Sequence, residues 1–313
     1  MKVVVIGGGT GSFTVLRGLK NKVDDLCAVV SMFDSGGSTG LLRDEFGILP
    51  PGDVRRCLIA LADESDDVLR QLFMFRFDEH SSLQGHSFGN LFLTALTEVT
   101  GSEAEAIKQA SRILRIKGRV LPVSLDNCHV NAELENGQKI RGETNIDVPL
   151  HDPNLRIVKT WLVPEAKANP EAVDAILKAD LVVIGPGDVF SSIVPNLLVK
   201  GIPEALKKSK AKKVYVCNVM TKFGETTGFK ASDFLNEIIK YGGSPDFILC
   251  NTGKGSSALL KKYADQNQFP VNVDEATIKK AGVKLVTGDV ISAAEIIRHD
   301  SEKLANTLIK LAR

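Results

Sequence analysis

The sequence predicts an α/β protein with a doubly wound, mainly parallel sheet and an antiparallel insertion. Short runs rich in Val and Ile have the pattern of buried parallel strands and occur at 3–6, 26–31, 181–184, 214–218 and 247–251. Helical periodicity lies between them, at 13–20, 54–62, 90–100, 104–114, 170–179, 202–208 and 231–241. Strands that alternate with helices are typical of a doubly wound parallel sheet.

The middle of the chain, residues 119–163, departs from this alternation. Apolar and polar residues alternate there, Glu135, Asn136 and Gly137 have the composition of a turn, and no long helical period occurs. We therefore expect antiparallel strands added to the sheet. Because the sequence contains no repeat or linker, residues 1–313 are predicted to form a single domain. Its last helix, over 301–311, is expected to begin at a cap on Ser301.

The composition excludes several classes of protein. Hydrophobic residues make up 43% and charged residues 25% of the 313 residues, which is ordinary for a globular domain. The 39 basic and 38 acidic residues give a net charge of +1, so a nucleic-acid partner is disfavoured. No apolar stretch has the length and flanking residues of a signal peptide or a membrane span, so neither a secreted nor a membrane protein is expected.

The cysteines indicate a reducing compartment. They are far apart, odd in number and without a CxxC pair, so neither a disulfide framework nor a structural zinc site has the spacing it needs: Cys27, Cys57, Cys128, Cys217 and Cys250. Buried reduced thiols and a cytoplasmic location are therefore predicted.

The first strand leads into a glycine-rich turn and a helix in the segment VVVIGGGTGSFTVLRGL. Backbone N–H groups of such a turn, together with the N-terminus of the helix, let an anion approach closely. We therefore predict a phosphate cradle formed by Gly8, Gly9, Thr10, Gly11 and Ser12. As a dinucleotide fingerprint the turn is imperfect, because Ser12 stands where the third glycine belongs and no P-loop lysine follows. A tight structural turn is the alternative.

A second glycine loop follows the second strand, in the segment FDSGGSTG. Asp34 is expected to bind a ribose hydroxyl, to hold a divalent ion or to cap the turn, and Gly36 and Gly37 are candidate ligand contacts. Two glycine loops at successive strand ends are more specific than one, because ligands collect at the carboxyl edge of parallel strands.

Further turns place polar residues at strand ends or helix starts. The turn LPPGDVRR enters a helix for which Asp53 is the expected cap. One of Arg55 and Arg56, with Arg55 as the candidate, is expected to meet an anion because arginines oppose the helix dipole there. The other candidates are His86, Asn90, Gly185, Gly187, Asn218 and Thr221. Groups at several ends of a parallel sheet converge on one crevice, although a structural role is an equal alternative for His86.

No catalytic residue is assigned. The sequence lacks the Ser-His-Asp order, the HExxH motif and the paired Cys and His ligands that hydrolases and zinc enzymes need. A nicotinamide-dependent oxidoreductase is a weaker hypothesis that rests on the glycine turn alone. It expects an acid at the second strand end without a glycine loop after it, which differs from the residues that follow Asp34.

Several blocks, in order and over nearly the whole length, resemble the YvcK family of bacterial gluconeogenesis factors, which is related to the phospholactate transferase CofD. The blocks are GGGTGS at Gly7, DSGGSTGLLRDEFGILPPGDVRRCL from Asp34, GHSFGNLF from Gly85, GPGDVFSSIVPNLLVKGI from Gly185, VYVCNVMTKFGETTGFKASDF from Val214 and RHDSEKLA from Arg298. Ordered blocks of this kind are far more specific than any glycine pattern.

The resemblance implies a Rossmann-like sheet that binds a UDP-sugar, chiefly UDP-N-acetylglucosamine, and a regulatory role that links carbon supply to cell-wall synthesis and cell shape. The family residues tied to the UDP-sugar fall on Tyr263, in LLKKYADQ, and on Arg298, in IIRHDSEKLA. Family members often carry two acids in the second loop, whereas Ser35 follows Asp34 here, so a two-acid metal site is not expected there.

Two functions are compatible with these observations. The first is a binding and regulatory protein whose glycine loop holds the diphosphate while Arg298 adds charge. The alternative is a transferase like CofD, which moves a phosphate-linked group from a nucleotide donor to an acceptor alcohol with a divalent ion near Asp34. Apart from this ion, whose identity stays open, no cofactor is implied. A homo-oligomer and a regulatory protein partner are compatible with either function.

Overall fold

The computed structural model describes residues 1–63, 67–78, 80–292 and 295–313. The strands of this part of the chain are β1 (Lys2–Gly7), β2 (Asp25–Val30), β3 (Arg119–Pro122), β4 (His129–Leu134), β5 (Lys139–Arg141), β6 (Ile157–Val163), β7 (Leu181–Ile184), β8 (Lys212–Val216), β9 (Phe247–Asn251), β10 (Lys284–Gly288), β11 (Ile291–Ser292) and β12 (Arg298–His299). Seven of them form one parallel sheet in the order β10-β9-β8-β7-β1-β2-β3. The predicted doubly wound, Rossmann-like sheet is confirmed.

Helices fill most of the connections between the strands. They are α1 (Gly9–Leu19), α2 (Gly37–Phe46), α3 (Gly52–Leu61), α4 (Asp67–Met74), α5 (Phe88–Thr100), α6 (Glu103–Ile113), α7 (Glu143–Asp147), α8 (Pro170–Lys178), α9 (Val194–Leu197), α10 (Ile202–Lys208), α11 (Ala231–Gly242), α12 (Ser257–Ala264), α13 (Glu275–Lys280) and α14 (Ser301–Ala312). A π-helical turn, Val189–Ile193, precedes α9. Among the described residues, no helix is both long and apolar enough to cross a membrane.

The two central strands lie fully inside the protein. Residues 3–7 of β1 and all four residues of β7 are buried, as expected for parallel strands covered by helices on both faces. Each fully buried Val or Ile side chain contributes about 1.5–3 kcal/mol of hydrophobic stabilisation. Helix α1 packs against α3 and α14, so the C-terminal helix closes over the first helix of the chain.

The strand order reverses between β1 and β7. From β1 the chain builds β2 and β3 on one side, and it then returns to place β7, β8, β9 and β10 on the other side. In open α/β sheets, ligands bind in the crevice outside the carboxyl ends of the strands at such a switch point. The first glycine turn and the Gly185–Pro186–Gly187 turn leave the sheet at this place.

The insertion differs from the prediction. Residues 119–122 form β3, which pairs in parallel with β2 and belongs to the main sheet. The antiparallel strands do not extend that sheet but form a separate one in the order β5-β4-β6. The short alternating pattern of residues 119–122 is compatible with a strand of the parallel sheet and with a strand of the antiparallel sheet. Tertiary packing therefore decides which strand it pairs with.

Two helix starts also differ from the prediction. Helix α14 is capped by Asp300 rather than by Ser301, since the Asp300 carboxylate accepts hydrogen bonds from the N–H groups of Glu302 and Lys303. Helix α1 begins at Gly9 instead of residue 13. The glycine turn is therefore the first turn of the helix itself, and its N–H groups are those of a helix N-terminus.

Candidate functional site

Two cavities meet at the switch point, and we call them together the central groove. The larger one, the acidic pocket, has a volume of about 540 Å³ and contains the carboxyl groups of Asp34, Asp53, Glu143, Asp147 and Asp188. The smaller one, the C-terminal pocket, measures about 250 Å³ and is lined by Asn218, Thr221, Tyr263, Gln268, Arg298 and His299. They share the lining residues Thr10, Gly11, Gly187, Asp188 and Lys222, so the glycine turn lies between them.

The glycine turn depends on the absence of side chains. Gly9 has a φ of +58°, which disfavours residues with a side chain, and a Cβ atom on Gly11 would overlap the carbonyl oxygen of Pro186. The N-cap residue Gly8 provides no side-chain cap. A bare helix N-terminus beside a second loop is a favourable place for a phosphate group.

Asp53 is not the cap of α3 that the sequence suggested. The helix begins at Gly52, and the Asp53 carboxyl lies against Gly8 and accepts a hydrogen bond from the Gly9 N–H. Burial and the nearby Asp34 raise the pKa of Asp53 to about 7. A carboxyl group thus lies beside the predicted phosphate cradle and is close to half protonated at neutral pH.

The second glycine loop is closed by the insertion. The Ser35 Oγ lies 2.9 Å from the Thr144 Oγ1, and the Ser35 N–H donates to Glu143 at 3.5 Å. Burial, with further contributions from Asp34 and Asp147, raises the pKa of Glu143 to about 8. Helix α7 therefore brings a second carboxyl group with a raised pKa into the acidic pocket.

Lys222, which the sequence analysis did not select, lies at the junction of the two pockets. Its ammonium group contacts Asp147, lies 2.8 Å from Asp188 and lies 3.4 Å from the fully buried Glu225. Burial alone would lower the pKa of Lys222, but the three carboxylates outweigh it and raise the pKa well above the usual value. The three acids are close enough together to hold a metal ion, yet the lysine takes the central position.

Glu225 also holds the π-helical turn in place. Its Oε1 accepts hydrogen bonds from the N–H groups of Phe190 at 2.7 Å and Ser191 at 3.2 Å. Asp147 belongs to α7, Asp188 precedes the π-helical turn and Lys222 follows β8. One ammonium group therefore joins three segments around the groove.

The C-terminal pocket presents hydrogen-bonding groups of both kinds. The Tyr263 hydroxyl accepts a hydrogen bond from the Ile297 N–H at 3.1 Å, which keeps its own proton available for donation. Burial lowers the pKa of His299 to about 4, so its ring is neutral. The His299 Nε2 and the Asn218 Oδ1 are enclosed atoms without a hydrogen-bond partner among the described residues. The exposed Arg298 and the Tyr263 hydroxyl are the polar groups that this wall offers to the pocket.

Most of the sequence-predicted residues come together in the groove. The acidic pocket is lined by Gly8, Gly9, Thr10, Gly11, Asp34, Gly36, Gly37 and Gly187. The C-terminal pocket is lined by Asn218, Thr221, Tyr263 and Arg298. The five remaining candidates do not line it: Ser12, Arg55, His86, Asn90 and Gly185.

The candidates outside the groove form its supporting structure. Arg55 is buried, and it donates hydrogen bonds to the Asn90 Oδ1 at 2.9 Å and to the Phe73 carbonyl at 3.2 Å. The His86 Nδ1 lies 3.0 Å from the Ser38 Oγ. The prediction that Arg55 reaches the site is therefore wrong. The adjacent Arg56 lines the acidic pocket and donates to the Thr10 Oγ1 at 2.6 Å, which makes it the remaining candidate for an anion contact.

Ser12 and Gly185 lie behind the pocket walls. Ser12 is buried in α1, beneath the turn, and its Oγ has no hydrogen-bond partner among the described residues. Gly185 has a left-handed backbone conformation in the turn after β7, with a φ of +78°, whereas Gly187 reaches the pocket.

The family described as 2-phospho-L-lactate transferase CofD matches residues 3–291. The chain belongs to the CofD family. Gluconeogenesis factors of Halalkalibacterium halodurans and Bacillus subtilis are 42% and 39% identical to it. The first match covers 98% of this chain and 95% of the relative, and the second covers 100% and 98%. A Thermotoga maritima relative is 45% identical over the whole of both chains.

A solved structure agrees with the fold of this CofD-family chain. The crystal structure of a Bacillus halodurans protein superposes with a TM-score of 0.94 and 41% sequence identity, and the match covers 98% of this chain and 99% of that one. The resemblance to gluconeogenesis factors that the sequence blocks indicated is thereby confirmed.

Proposed function

We propose that the protein binds a UDP-sugar, chiefly UDP-N-acetylglucosamine, in the central groove and acts in the cytoplasm as a regulator that links carbon supply to cell-wall synthesis and cell shape. The observation that carries the proposal is the position of a bare helix N-terminus between two pockets of different chemistry. A nucleotide sugar has the same order of parts: a base with its ribose, a diphosphate and a sugar.

Each part of such a ligand matches a part of the groove. The diphosphate accepts hydrogen bonds from the N–H groups of the glycine turn, and Arg56 adds a positive charge beside it. The uracil and ribose lie in the C-terminal pocket with Tyr263 and Arg298. The sugar lies in the acidic pocket, where carboxyl groups accept hydrogen bonds from its hydroxyls. The regulatory role is supported by the names of the gluconeogenesis factors to which the chain is related.

Replacing Arg298 by alanine is expected to weaken UDP-N-acetylglucosamine binding by about tenfold or more, because a charged hydrogen bond contributes about 1.5–3 kcal/mol. Isothermal titration calorimetry measures the affinity, and unfolding curves verify that both proteins are folded. The matched control is Arg112→Ala, an exposed arginine on α6 outside the groove. Wild-type protein that releases no heat at millimolar ligand contradicts the proposed function, whereas unchanged binding by Arg298→Ala contradicts only the role of that residue.

UDP-N-acetylglucosamine binding without divalent ions is expected to weaken as the pH rises from 6 to 8.5. Asp53, with a pKa of about 7, and Glu143, with a pKa of about 8, are neutral at the lower pH and charged at the higher one. Each new negative charge repels a diphosphate whose own charge stays constant, and about tenfold is expected per group. Titrations at several pH values measure the effect.

The variant Asp53→Asn removes the first of these charges. Its affinity should change less between pH 6 and pH 7.5 than that of the wild type, while the exposed Asp174→Asn serves as the control. An affinity that is constant over the whole range for the wild type would show that neither carboxyl group faces the diphosphate.

A second candidate is a transferase reaction, favoured by the family match and by the carboxyl groups of Asp34, Asp53 and Glu143 beside the glycine turn. Mg²⁺ is usually bound by one or two carboxylates together with substrate phosphates, and one or two of these residues would hold it against the diphosphate. The ion would neutralise phosphate charge while the donor group passes to an acceptor alcohol. Phosphorus NMR tests this function: magnesium-dependent conversion of the nucleotide donor supports it, and an unchanged spectrum over long incubation rules it out.

A further inference from the structure

The separate sheet β5-β4-β6 has one buried face and one open face. Val130, Ala132 and Leu134 of β4 and Ile140 of β5 point into the core. Because successive side chains of a strand point to opposite faces, the residues between them lie on the open face. This face contains a cavity of about 640 Å³, which we call the trough.

The strand register gives the trough its shape. Asn131 of β4 faces Arg141 of β5 on one side and Trp161 of β6 on the other. Since neighbouring strands lie about 4.8 Å apart, the two walls are separated by about 10 Å. His129 and Asn131 thus form the floor, with Trp161 and Val163 on one wall and Lys139 and Arg141 on the other.

The two walls have different chemistry. Trp161 is the only tryptophan of the chain, and Val163 beside it is 46% exposed. Lys139 and Arg141 are exposed on the opposite wall and form no side-chain hydrogen bond or ion pair with the described residues. Lys159 lies 5.7 Å from the ring centre of Trp161, and the acid on this face is Glu133. Lys139 lies opposite Glu133 in the strand register, whereas Arg141 lies opposite the neutral Asn131. An apolar wall therefore faces a wall with two exposed cationic side chains and one acid beside them.

The trough is fixed in place on its β6 side. The Thr160 N–H donates a hydrogen bond to the Tyr241 hydroxyl at 2.9 Å, and Lys240 donates one to the Val158 carbonyl at 2.8 Å. One backbone N–H group and one backbone carbonyl of this edge are thus held by α11. The structure is preformed, so a ligand does not have to order it.

The dimensions favour a single extended polypeptide. A bilayer surface or a nucleic-acid duplex is too broad to reach the floor between walls about 10 Å apart. Single-stranded nucleic acid prefers several successive aromatic side chains and a positive groove, whereas the trough contains one aromatic ring next to an aliphatic residue. An extended peptide directs alternate side chains to opposite sides, which matches two unlike walls.

We propose that the trough is a docking site for an extended segment of a protein partner in which acidic and apolar side chains alternate. The apolar side chains contact Trp161 and Val163, and the acidic ones pair with Lys139 and Arg141. This site goes beyond the proposed ligand of the central groove and does not depend on it. It is nevertheless adjacent, because α7 follows β5 directly and carries Glu143, Thr144 and Asp147 into the acidic pocket.

The single tryptophan makes a direct test available. The probe is the end-blocked hexapeptide with the sequence Asp-Val repeated three times, titrated into the full chain while tryptophan fluorescence is recorded. We expect a saturable change in intensity or emission wavelength that weakens at high salt, since charge pairs at a surface are screened. The hexapeptide with Lys-Val repeated three times is the matched peptide control and should produce no saturable change.

Two variants locate the binding. The double variant Lys139→Gln and Arg141→Gln should weaken binding of the acidic peptide by about tenfold or more, whereas Lys210→Gln, an exposed lysine elsewhere, should not change it. Both substitutions are on the surface, and unfolding curves verify the fold. No saturable change at millimolar peptide, an equal response to the basic peptide, or an unchanged affinity of the double variant each overturns the proposal. A response to an oligo-dT strand or anionic vesicles without a response to the acidic peptide also overturns it.

Discussion

Replacing Lys222 by alanine is expected to lower the free energy of unfolding by about 3 kcal/mol, the lower end of the usual cost of removing one partner from a buried ion pair, because Glu225 is fully buried while the two aspartates are partly exposed. The substitution leaves the carboxylates of Asp147, Asp188 and Glu225 facing one another without a cation. Glu225 has no exposed side-chain surface in the wild type, so its carboxylate loses its cationic partner while little water is in contact with it. Chemical denaturation at neutral pH measures the loss.

A matched control and a rescue variant separate this effect from ordinary loss of charge. Lys178→Ala breaks an exposed pair with Asp174 on α8 and should cost less than about 1 kcal/mol. Adding Glu225→Gln to the alanine variant should restore part of the stability, because the amide removes one negative charge and its oxygen still accepts from the Phe190 N–H. If the Lys222→Ala variant is as stable as the wild type, the three carboxylates can move apart without an energetic cost and the lysine is not needed to hold them together.

Replacing Gly11 by alanine is expected to cost about 1–3 kcal/mol of stability and to reduce UDP-N-acetylglucosamine binding below detection. The new methyl group overlaps the Pro186 carbonyl oxygen, so either the first turn of α1 or the turn after β7 must move. Both turns line both pockets, and a phosphate site made of backbone N–H groups depends on their positions.

The control for this substitution is Gly288→Ala in β10. A Cβ atom there meets no atom within 4 Å, so the same chemical change should leave stability within about 0.5 kcal/mol and binding unchanged. Thermal unfolding and calorimetric titration of the two variants give the comparison. If Gly11→Ala binds the nucleotide sugar as the wild type does, the glycine turn is not the phosphate site.

The parts of the site that sequence analysis predicts are local. Residues 7–12 combine a buried strand, glycines and a helix start within one short segment, and the structure places them at the switch point. Tyr263 and Arg298 were identified by similarity of sequence blocks and lie in one pocket, although α12 and β12 are separate in the chain. Neither residue has a local pattern that indicates a ligand.

The parts of the site and of the fold that the sequence did not predict depend on tertiary contacts. Arg55 and Arg56 are neighbours on α3, and their side chains point about 100° apart around the helix. Arg55 is the buried one because Phe73 and Asn90, which accept its hydrogen bonds, lie on its side of the helix. Lys222 lies 75 residues from Asp147 and 34 from Asp188, so no spacing rule connects them. The parallel pairing of β3 with β2 is likewise decided by the packing of the whole sheet.

The most direct test of the central claim is the crystal structure of the protein with UDP-N-acetylglucosamine bound. We expect the diphosphate oxygens within hydrogen-bond distance of the backbone N–H groups of Thr10 and Gly11, and the uracil beside Tyr263 and Arg298. Electron density for the nucleotide at any other place, with the glycine turn unchanged and unoccupied, would contradict the account.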